Sequence, residues 1–212
     1  MRYALHLGAS SERLLLFFAG WGMDDAPFVP MLGAFDTAVV WDYTDITSPL
    51  PFLKDYARID LIAWSMGVWA ATQVLADTSL HSAVAVNGTP WPIDDTRGIP
   101  TAVFDATLVS FSEAGLTRFR RRMCGGTAAM NAFMEHAPAR SVEELRVELD
   151  AIGNAYRTRG PRNLAWTAAA VCASDRIFPP EAQKAAFPGA KLFDGAHWAP
   201  DLFARLLKGE TL

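Results

Sequence analysis

One serine stands where a nucleophile could be formed. Residues 61–69 read Leu-Ile-Ala-Trp-Ser-Met-Gly-Val-Trp, which predicts a buried strand, a tight turn at Ser65 and then a helix. A nucleophile elbow has this order and needs small residues two before and two after the serine, here Ala63 and Gly67. Such a turn would present the hydroxyl to solvent at the end of the sheet and free the Met66 N–H to bind an oxyanion. The alternative is that Ser65 merely caps the helix.

A serine hydroxyl becomes a good nucleophile only when a base takes its proton. The chain has four histidines, and His197 lies in a small-residue loop just before a C-terminal helix. The base of an α/β-hydrolase belongs in such a loop, so His197 is the candidate. His6, His81 and His136 are interpreted as structural or exposed residues.

The acid that orients the base should lie between the serine and the histidine in the chain. Asp175 follows a predicted strand and precedes His197, so it is the candidate for holding the imidazole in the required tautomer. The alternative is that Asp175 caps the helix predicted at Pro179–Ala186. Asp94 and Asp95 are rival acids, but they follow a different strand.

The glycine-containing loop Gly20-Trp21-Gly22 follows an early strand, which is the usual source of a second oxyanion donor. The glycines would let the backbone bend toward the nucleophile, so the Trp21 N–H joins the Met66 N–H as a predicted donor. The Trp21 indole could also form a wall of the acyl pocket. The alternative is an ordinary glycine turn with the tryptophan packed in the core.

The elements that would position these residues alternate between short apolar runs and helical patterns, which favours a mostly parallel sheet flanked by helices. The predicted strands are Tyr3–Leu7, Arg13–Ala19, Thr37–Trp41, Ile59–Ala63, His81–Val86, Ala168–Ala173 and Lys191–Phe193. One helix is predicted to begin near Pro27. The other predicted helices are Val68–Ala76, Leu108–Met123, Thr127–His136, Val142–Tyr156, Pro179–Ala186 and Asp201–Leu207. We therefore expect one α/β-hydrolase domain over residues 1–212, with a helical lid insertion at about 91–162.

Composition limits the class of protein further. Of the 212 residues, 51% are hydrophobic and 20% charged, which is typical of soluble globular domains, and the net charge of −4 disfavours nucleic-acid binding. No apolar run reaches the roughly 20 residues that span a bilayer, and the N-terminus does not resemble a signal peptide. Cys124 and Cys172 lack metal-site spacing, and a disulfide between them stays open. We expect a cytoplasmic monomer that needs no metal or cofactor.

Seven short blocks of the sequence resemble the BioG-type family of pimeloyl-acyl-carrier-protein methyl ester esterases. The blocks are Phe18–Gly22, Asp42–Asp45, Ala63–Trp69, Ala85–Thr89, Gly98–Pro100, Ser174–Phe178 and His197–Trp198. Ala63 departs from the glycine usual in hydrolase elbows but is normal in this family. The resemblance implies hydrolysis of the methyl ester of pimeloyl-acyl-carrier protein to methanol and pimeloyl-acyl-carrier protein, a late step toward biotin. Residues 101–165 match little.

The predicted insertion is basic although the chain is acidic. Between Arg118 and Arg162 there are nine arginines, no lysine and five acidic residues. A basic surface suits an acyl-carrier protein, which is acidic, so the densest cluster, Arg118, Arg120, Arg121 and Arg122, is the candidate contact. Such complementarity mainly sets encounter rate and orientation. The alternative is a solvated helix face with internal ion pairs.

Two other functions stay open. One is a general short-chain carboxylesterase or thioesterase with the same triad, and the other is a non-catalytic carrier-binding module on a hydrolase scaffold. An aspartate-nucleophile hydrolase is disfavoured because the elbow residue is serine. A long acyl chain would need an apolar tunnel, for which the candidates are Phe104, Leu108, Phe111, Phe133 and Met134.

Overall fold

A single seven-stranded sheet forms the centre of the structure. The computed structural model describes the backbone of residues 1–212 and the side chains of all but residues 10 and 11. The strands are β1 (Arg2–His6), β2 (Ser10–Phe18), β3 (Phe35–Trp41), β4 (Arg58–Trp64), β5 (Ser82–Val86), β6 (Ala168–Cys172) and β7 (Lys191–Phe193). Their order is β1-β3-β2-β4-β5-β6-β7, and all pairs are parallel except β1 with β3. This is the mostly parallel sheet that the apolar runs predict.

Seven helices accompany the sheet. They are α1 (Met66–Leu75), α2 (Thr101–Val109), α3 (Glu113–Met123), α4 (Thr127–Met134), α5 (Val142–Arg159), α6 (Pro180–Ala186) and α7 (Pro200–Leu207). Helices α2 to α5 lie between β5 and β6, inside the interval of the predicted insertion, and are called the insertion helices below.

Two helix predictions were wrong. The segment after Pro27 forms only the 3-10 turn Val29–Met31, because Pro30 cannot donate a helical hydrogen bond and the chain soon enters β3. The helix predicted over Leu108–Met123 is two helices. The break falls at residues 110–112. There the Ser112 side chain accepts a hydrogen bond from the Gly115 N–H and caps the N-terminus of α3.

The core lies on both faces of the central strands. Residues 14–18 of β2 are almost completely inaccessible to solvent, as expected of a strand in a parallel sheet covered on both sides. Helix α1 is buried over nearly its whole length, and the Trp69 indole donates to the Gly160 carbonyl just after α5 (3.1 Å). The segment that follows the insertion helices therefore packs against α1.

Parallel pairing brings the carboxyl ends of β2, β4, β5 and β6 to one edge of the sheet. The register aligns Phe18 with Ala63, Ala63 with Ala85, and Ala85 with Ala169. The loops that follow these strands therefore meet at that edge, which is where ligands bind in open α/β sheets.

Both cysteines are free and buried, so the possible disulfide is not formed. Within the part of the chain that the structure describes, no helix combines the length and apolarity needed to cross a bilayer.

Candidate active site

The turn at Ser65 has a strained backbone. Ser65 has φ 60° and ψ −129°, a conformation that non-glycine residues rarely adopt, and such strain is typical of functional turns. A Cβ at Gly67 would lie 2.4 Å from the Phe18 carbonyl oxygen, so only glycine fits that position. The Ser65 side chain makes no capping hydrogen bond to the described helix α1. A capping role therefore does not explain the residue.

Ser65, His197 and Asp175 form a hydrogen-bonded chain. Ser65 Oγ lies 2.8 Å from His197 Nε2, and His197 Nδ1 lies 2.8 Å from Asp175 Oδ2. With the ring proton on Nδ1, the serine hydroxyl donates to the imidazole and the imidazole donates to the carboxylate. The three residues are 5%, 1% and 4% exposed. The expectation that the hydroxyl faces solvent was wrong, because the insertion helices cover it.

Asp175 is held by three donors besides the histidine. Its Oδ1 accepts from the N–H groups of Ile177 (2.8 Å) and Phe178 (3.0 Å), and Oδ2 accepts from Gln183 Nε2 (2.9 Å). The carboxylate thus shapes the turn that leads to α6 and orients His197 as well. Sequence reasoning missed Gln183, since a glutamine in a short helix carries no signal of its partner.

The loop that carries His197 is fixed through its backbone. The His197 carbonyl accepts from Trp64 Nε1 (3.0 Å) and Asn87 Nδ2 (2.9 Å), and Asn87 Oδ1 accepts from the Cys172 N–H (2.8 Å). Asn87 has φ 47°, which asparagine tolerates better than most residues. This residue ties the ends of β5 and β6 to the histidine loop, a role that the sequence did not reveal.

The two predicted oxyanion donors both lie close to Ser65 in the fold. Met66 is the first residue of α1, and a Cβ at Gly20 would lie 3.1 Å from the Ser65 Cβ, so the loop with Trp21 runs against Ser65. Among the described residues, neither the Trp21 N–H nor the Met66 N–H donates to a protein acceptor. Both amides are therefore free to bind substrate, and their role in an oxyanion hole stays a prediction.

The Trp21 side chain fits both of its interpretations. Its indole N–H donates to the Leu145 carbonyl of α5 (2.8 Å), and its ring packs edge-on against Phe111 and Phe119. The same ring lines a cavity that contains Ser65 and His197. Trp21 therefore packs in the core and walls the candidate site.

This inner cavity is small and mostly apolar. Its volume is about 50 Å³, which is enough for a few water molecules at roughly 10–15 Å³ of accessible space each. The lining residues are Trp21, Trp64, Ser65, Met66, Ile99, Val103, Phe104, Thr107, Phe119, Arg122, Met123, Leu149, Arg176, Ile177 and His197. Of the five candidate tunnel residues, Phe104 alone belongs to this described lining.

A family model described as pimeloyl-ACP methyl esterase BioG matches residues 3–208. The chain belongs to the BioG family. A malonyl-[acyl-carrier protein] O-methyltransferase of Bacteroides fragilis is 48% identical over 194 residues, which cover 88% of this chain and 40% of that protein. The chain thus spans about two fifths of the length of that relative.

Solved structures agree with the family match. BioG from Haemophilus influenzae superposes with a TM-score of 0.89 at 35% identity, covering 96% of this chain and 97% of that one. A lipase-esterase related protein from Clostridium acetobutylicum has a TM-score of 0.65 at 15% identity, covering 99% of both chains, and shows the fold alone. This BioG-family chain therefore has the α/β-hydrolase fold.

The rival residues of the BioG-family chain have other partners. His6 Nε2 lies 3.0 Å from Asp25 Oδ2. The Asp94 carboxylate accepts from the N–H groups of Thr96 (3.0 Å) and Arg97 (2.8 Å), so it shapes a local turn. His81 and His136 are exposed.

The four predicted carrier-contact arginines all lie on α3 but differ in environment. Arg118, Arg121 and Arg122 are exposed, and no described acidic side chain pairs with any of them. Arg120 is half-buried with its guanidinium 6.0 Å from the Phe133 ring centre, and this burial lowers its pKa. It is therefore less available to a partner than its neighbours.

An outer groove adjoins the inner cavity in this BioG-family chain. It has a volume of about 300 Å³ and is lined by Thr107, Ser110, Phe111, Gly115, Arg118, Phe119 and Arg122. Thr107, Phe119 and Arg122 line both spaces. The groove thus leads from the surface between α2 and α3 toward Ser65, and Arg118 and Arg122 belong to its lining.

Proposed function

We propose that the chain is a serine carboxylesterase that hydrolyses the methyl ester of pimeloyl-[acyl-carrier protein], releasing methanol and a free carboxylate, in biotin synthesis. The observation that carries this proposal is the Ser65–His197–Asp175 chain of hydrogen bonds, with its 2.8 Å contacts, beside an apolar cavity. The match to a family described as pimeloyl-ACP methyl esterase supplies the substrate class.

The mechanism follows from the positions of the hydrogen-bonding groups. Ser65 Oγ attacks the ester carbonyl carbon while His197 Nε2 takes its proton, and Asp175 stabilises the resulting imidazolium. The N–H groups of Trp21 and Met66 bind the oxyanion. His197 then protonates the departing methanol, and a water molecule hydrolyses the acyl-serine by the same sequence of proton transfers.

The relative from B. fragilis supports the ester as the target. Its name describes methyl transfer to an oxygen of malonyl-acyl-carrier protein, and this chain matches two fifths of its length. A methyl ester made on a carrier-bound acid has to be removed before that acid is used as a carboxylate. We infer that the part resembling this chain acts on such a carrier-bound ester.

The groove indicates how a carrier-bound substrate would lie. The ester end would reach Ser65 in the inner cavity, and the link to the carrier would leave past Thr107 and Phe119 into the outer groove. Arg118, Arg121 and Arg122 would face the acidic carrier, with Arg120 contributing at the margin. The inner cavity of about 50 Å³ shares Thr107, Phe119 and Arg122 with the outer groove of about 300 Å³, so the pimeloyl chain would extend through both spaces.

A general short-chain carboxylesterase or thioesterase is the second candidate. The small volume of the inner cavity favours it, since a short acyl group needs less space than a pimeloyl chain. Equal activity on carrier-bound and free methyl esters would support this candidate.

The deciding experiment incubates the protein with pimeloyl-acyl-carrier protein methyl ester and follows loss of the methyl group by mass spectrometry. Ser65→Ala and free monomethyl pimelate are run in parallel. We expect rapid demethylation of the carrier-bound ester, slower reaction of the free ester, and no turnover by folded Ser65→Ala. Retained turnover by that variant would exclude Ser65 as nucleophile. Cleavage of simple esters only would leave the triad in place and exclude the carrier-bound substrate.

A further inference from the structure

The loop that carries Trp21 is fastened to helix α5. The Trp21 indole donates to the Leu145 carbonyl (2.8 Å), and the Gly22 N–H donates to Glu148 Oε2 (3.4 Å), three residues further along the same helix. Gly22 has φ 80°, a conformation that glycine adopts at little cost. Two successive loop residues are therefore bound to one face of α5.

The carboxylate of Glu148 is a fully buried charge with several partners. Its Oε1 accepts from the Tyr43 N–H (3.0 Å), and its Oε2 accepts from Arg140 Nη1 (2.6 Å). Burial raises the pKa of Glu148, while Arg140 and the Tyr43 N–H oppose that rise. Arg140, whose side chain is 3% exposed, also donates to the Met23 carbonyl (3.2 Å).

These contacts enclose the loop from both ends. Met23, at its end, is held by Arg140, and Ala19, at its start, accepts from the Tyr43 hydroxyl (2.6 Å). Tyr43 is itself bound to Glu148 through its N–H. The free N–H of Trp21 lies inside this frame, so its direction depends on the buried Glu148–Arg140 pair.

Stability alone gives little reason for such a pair. Desolvating two charges costs several kcal/mol per ion, and apolar replacements of similar volume are often equally stable. A carboxylate close to a developing oxyanion would also repel it unless a cation neutralised the carboxylate. Arg140, which also lies 3.5 Å from Asp42, supplies a cation beside Glu148. The two carboxylate oxygens of Glu148 accept from the backbone N–H groups of Tyr43 and Gly22.

We propose that Glu148 and Arg140 are positioning residues that hold loop 20–23 so that the Trp21 N–H faces the oxyanion formed at Ser65. They would thereby couple an insertion helix to catalysis. The inference rests on the proposed function, specifically on the oxyanion role of Trp21.

The test compares Glu148→Gln and Arg140→Lys with the wild type on p-nitrophenyl acetate. A trifluoromethyl ketone, whose serine adduct carries an oxyanion, is measured as an inhibitor in parallel. For Glu148→Gln we expect kcat to fall about 10- to 100-fold with KM changed less than about twofold, as for a misplaced catalytic group. Affinity for the ketone should fall by a similar factor. Arg140→Lys keeps the positive charge, so we expect a smaller fall in kcat and in affinity for the ketone.

The matched control is Glu143→Gln with Arg146→Gln, which removes an exposed glutamate–arginine pair from the same helix. We expect this variant to keep wild-type kcat and ketone affinity. Circular dichroism and melting temperature identify folded variants, and Arg140→Lys provides the test if Glu148→Gln does not fold. Folded variants with unchanged kcat, or with reduced kcat but unchanged ketone affinity, would overturn the inference. Ser65→Ala is assayed on p-nitrophenyl acetate as well, so that failure of the proposed nucleophile is recognised separately.

Discussion

Gly88 shows how closely the backbone packs around Ser65. It follows Asn87 at the end of β5, and a Cβ at this position would lie 2.2 Å from the Ser65 carbonyl oxygen. Backbone atoms cannot rotate away as a flexible side chain can, so any added methyl group must displace the elbow itself. The glycine in the Ala85–Thr89 block therefore has a physical reason that the sequence pattern did not state.

Replacing Gly88 with alanine should disturb both stability and activity. We expect Gly88→Ala to lower the free energy of unfolding by about 1–3 kcal/mol, the usual cost of overpacking, and to lower kcat because Ser65 moves. The matched control is Gly189→Ala, since nothing lies within 4 Å of a Cβ built there. Urea unfolding and ester hydrolysis measure the two effects. If Gly88→Ala and Gly189→Ala have the same free energy of unfolding and the same kcat, the close contact at Gly88 is contradicted.

The sequence predicted the three residues of the hydrogen-bonded chain but not the residues that hold them. Ser65, Asp175 and His197 were recognisable because each has a reactive type and a place at the end of a strand or in a terminal loop. Gln183 and Glu148 were not, because their roles depend on partners that only the folded chain brings near. Glu148 contacts Tyr43, 105 positions away in the sequence.

At the scale of elements, hydrophobic patterning predicted strands better than helices. The long apolar run of β2 predicted a strand buried on both faces, and the structure confirms it. The break at Ser112 was missed because a helical pattern continues on both sides, and a single capping hydrogen bond decides where α3 starts. Local caps therefore set boundaries that periodicity does not show.

Asp60 joins strands at the opposite end of the sheet from the candidate site. Its carboxylate accepts from Arg13 Nε and Arg58 Nε (2.8 Å each) and from the Ser82 hydroxyl, and its side chain is 6% exposed. Burial by itself would raise the pKa of Asp60, but these hydrogen bonds and charges lower it below 3.8. The ionised carboxylate therefore links β2, β4 and β5.

Asp60→Asn should weaken the sheet in a pH-dependent way. We expect a loss of about 1.5–3 kcal/mol in the free energy of unfolding at pH 7, the range for hydrogen bonds to charged groups. Because the folded-state pKa lies below the unfolded value, the stabilisation is present above pH 4 and is lost as pH falls through the folded pKa. Urea unfolding at pH 7 and pH 3 measures the gap between wild type and variant. If the difference in free energy of unfolding between wild type and Asp60→Asn is as large at pH 3 as at pH 7, the carboxylate charge is excluded as its cause.

At the scale of the whole molecule, some arginines of the insertion form ion pairs and others do not. Among the nine arginines between residues 118 and 162, Arg140, Arg146, Arg157 and Arg162 form ion pairs with acidic side chains. For these four, the interpretation as internal ion pairs is confirmed. The exposed arginines of α3 have no such partner among the described residues, so the basic character of the insertion is concentrated beside the outer groove.

That concentration leads to a prediction about the carrier protein. Arg118 and Arg121 are exposed and neither lines the inner cavity, so reversing their charge should leave the chemistry at Ser65 intact. For Arg118→Glu with Arg121→Glu, we expect kcat/KM on pimeloyl-acyl-carrier protein methyl ester to fall about 10- to 100-fold at low salt, because electrostatic steering acts on encounter. The rate on free monomethyl pimelate should not change.

The salt dependence and a matched variant complete this test. The Debye length shrinks to about 3 Å in 1 M salt, so the difference between wild type and variant should largely disappear there. Arg159→Glu places the same charge change on an exposed arginine of α5 and should have little effect on either substrate. An equal fall in kcat/KM on the carrier-bound and the free ester would mean that the substitutions had damaged the site itself. A loss that persists in 1 M salt would indicate direct contacts in place of long-range attraction, since screening removes only the latter.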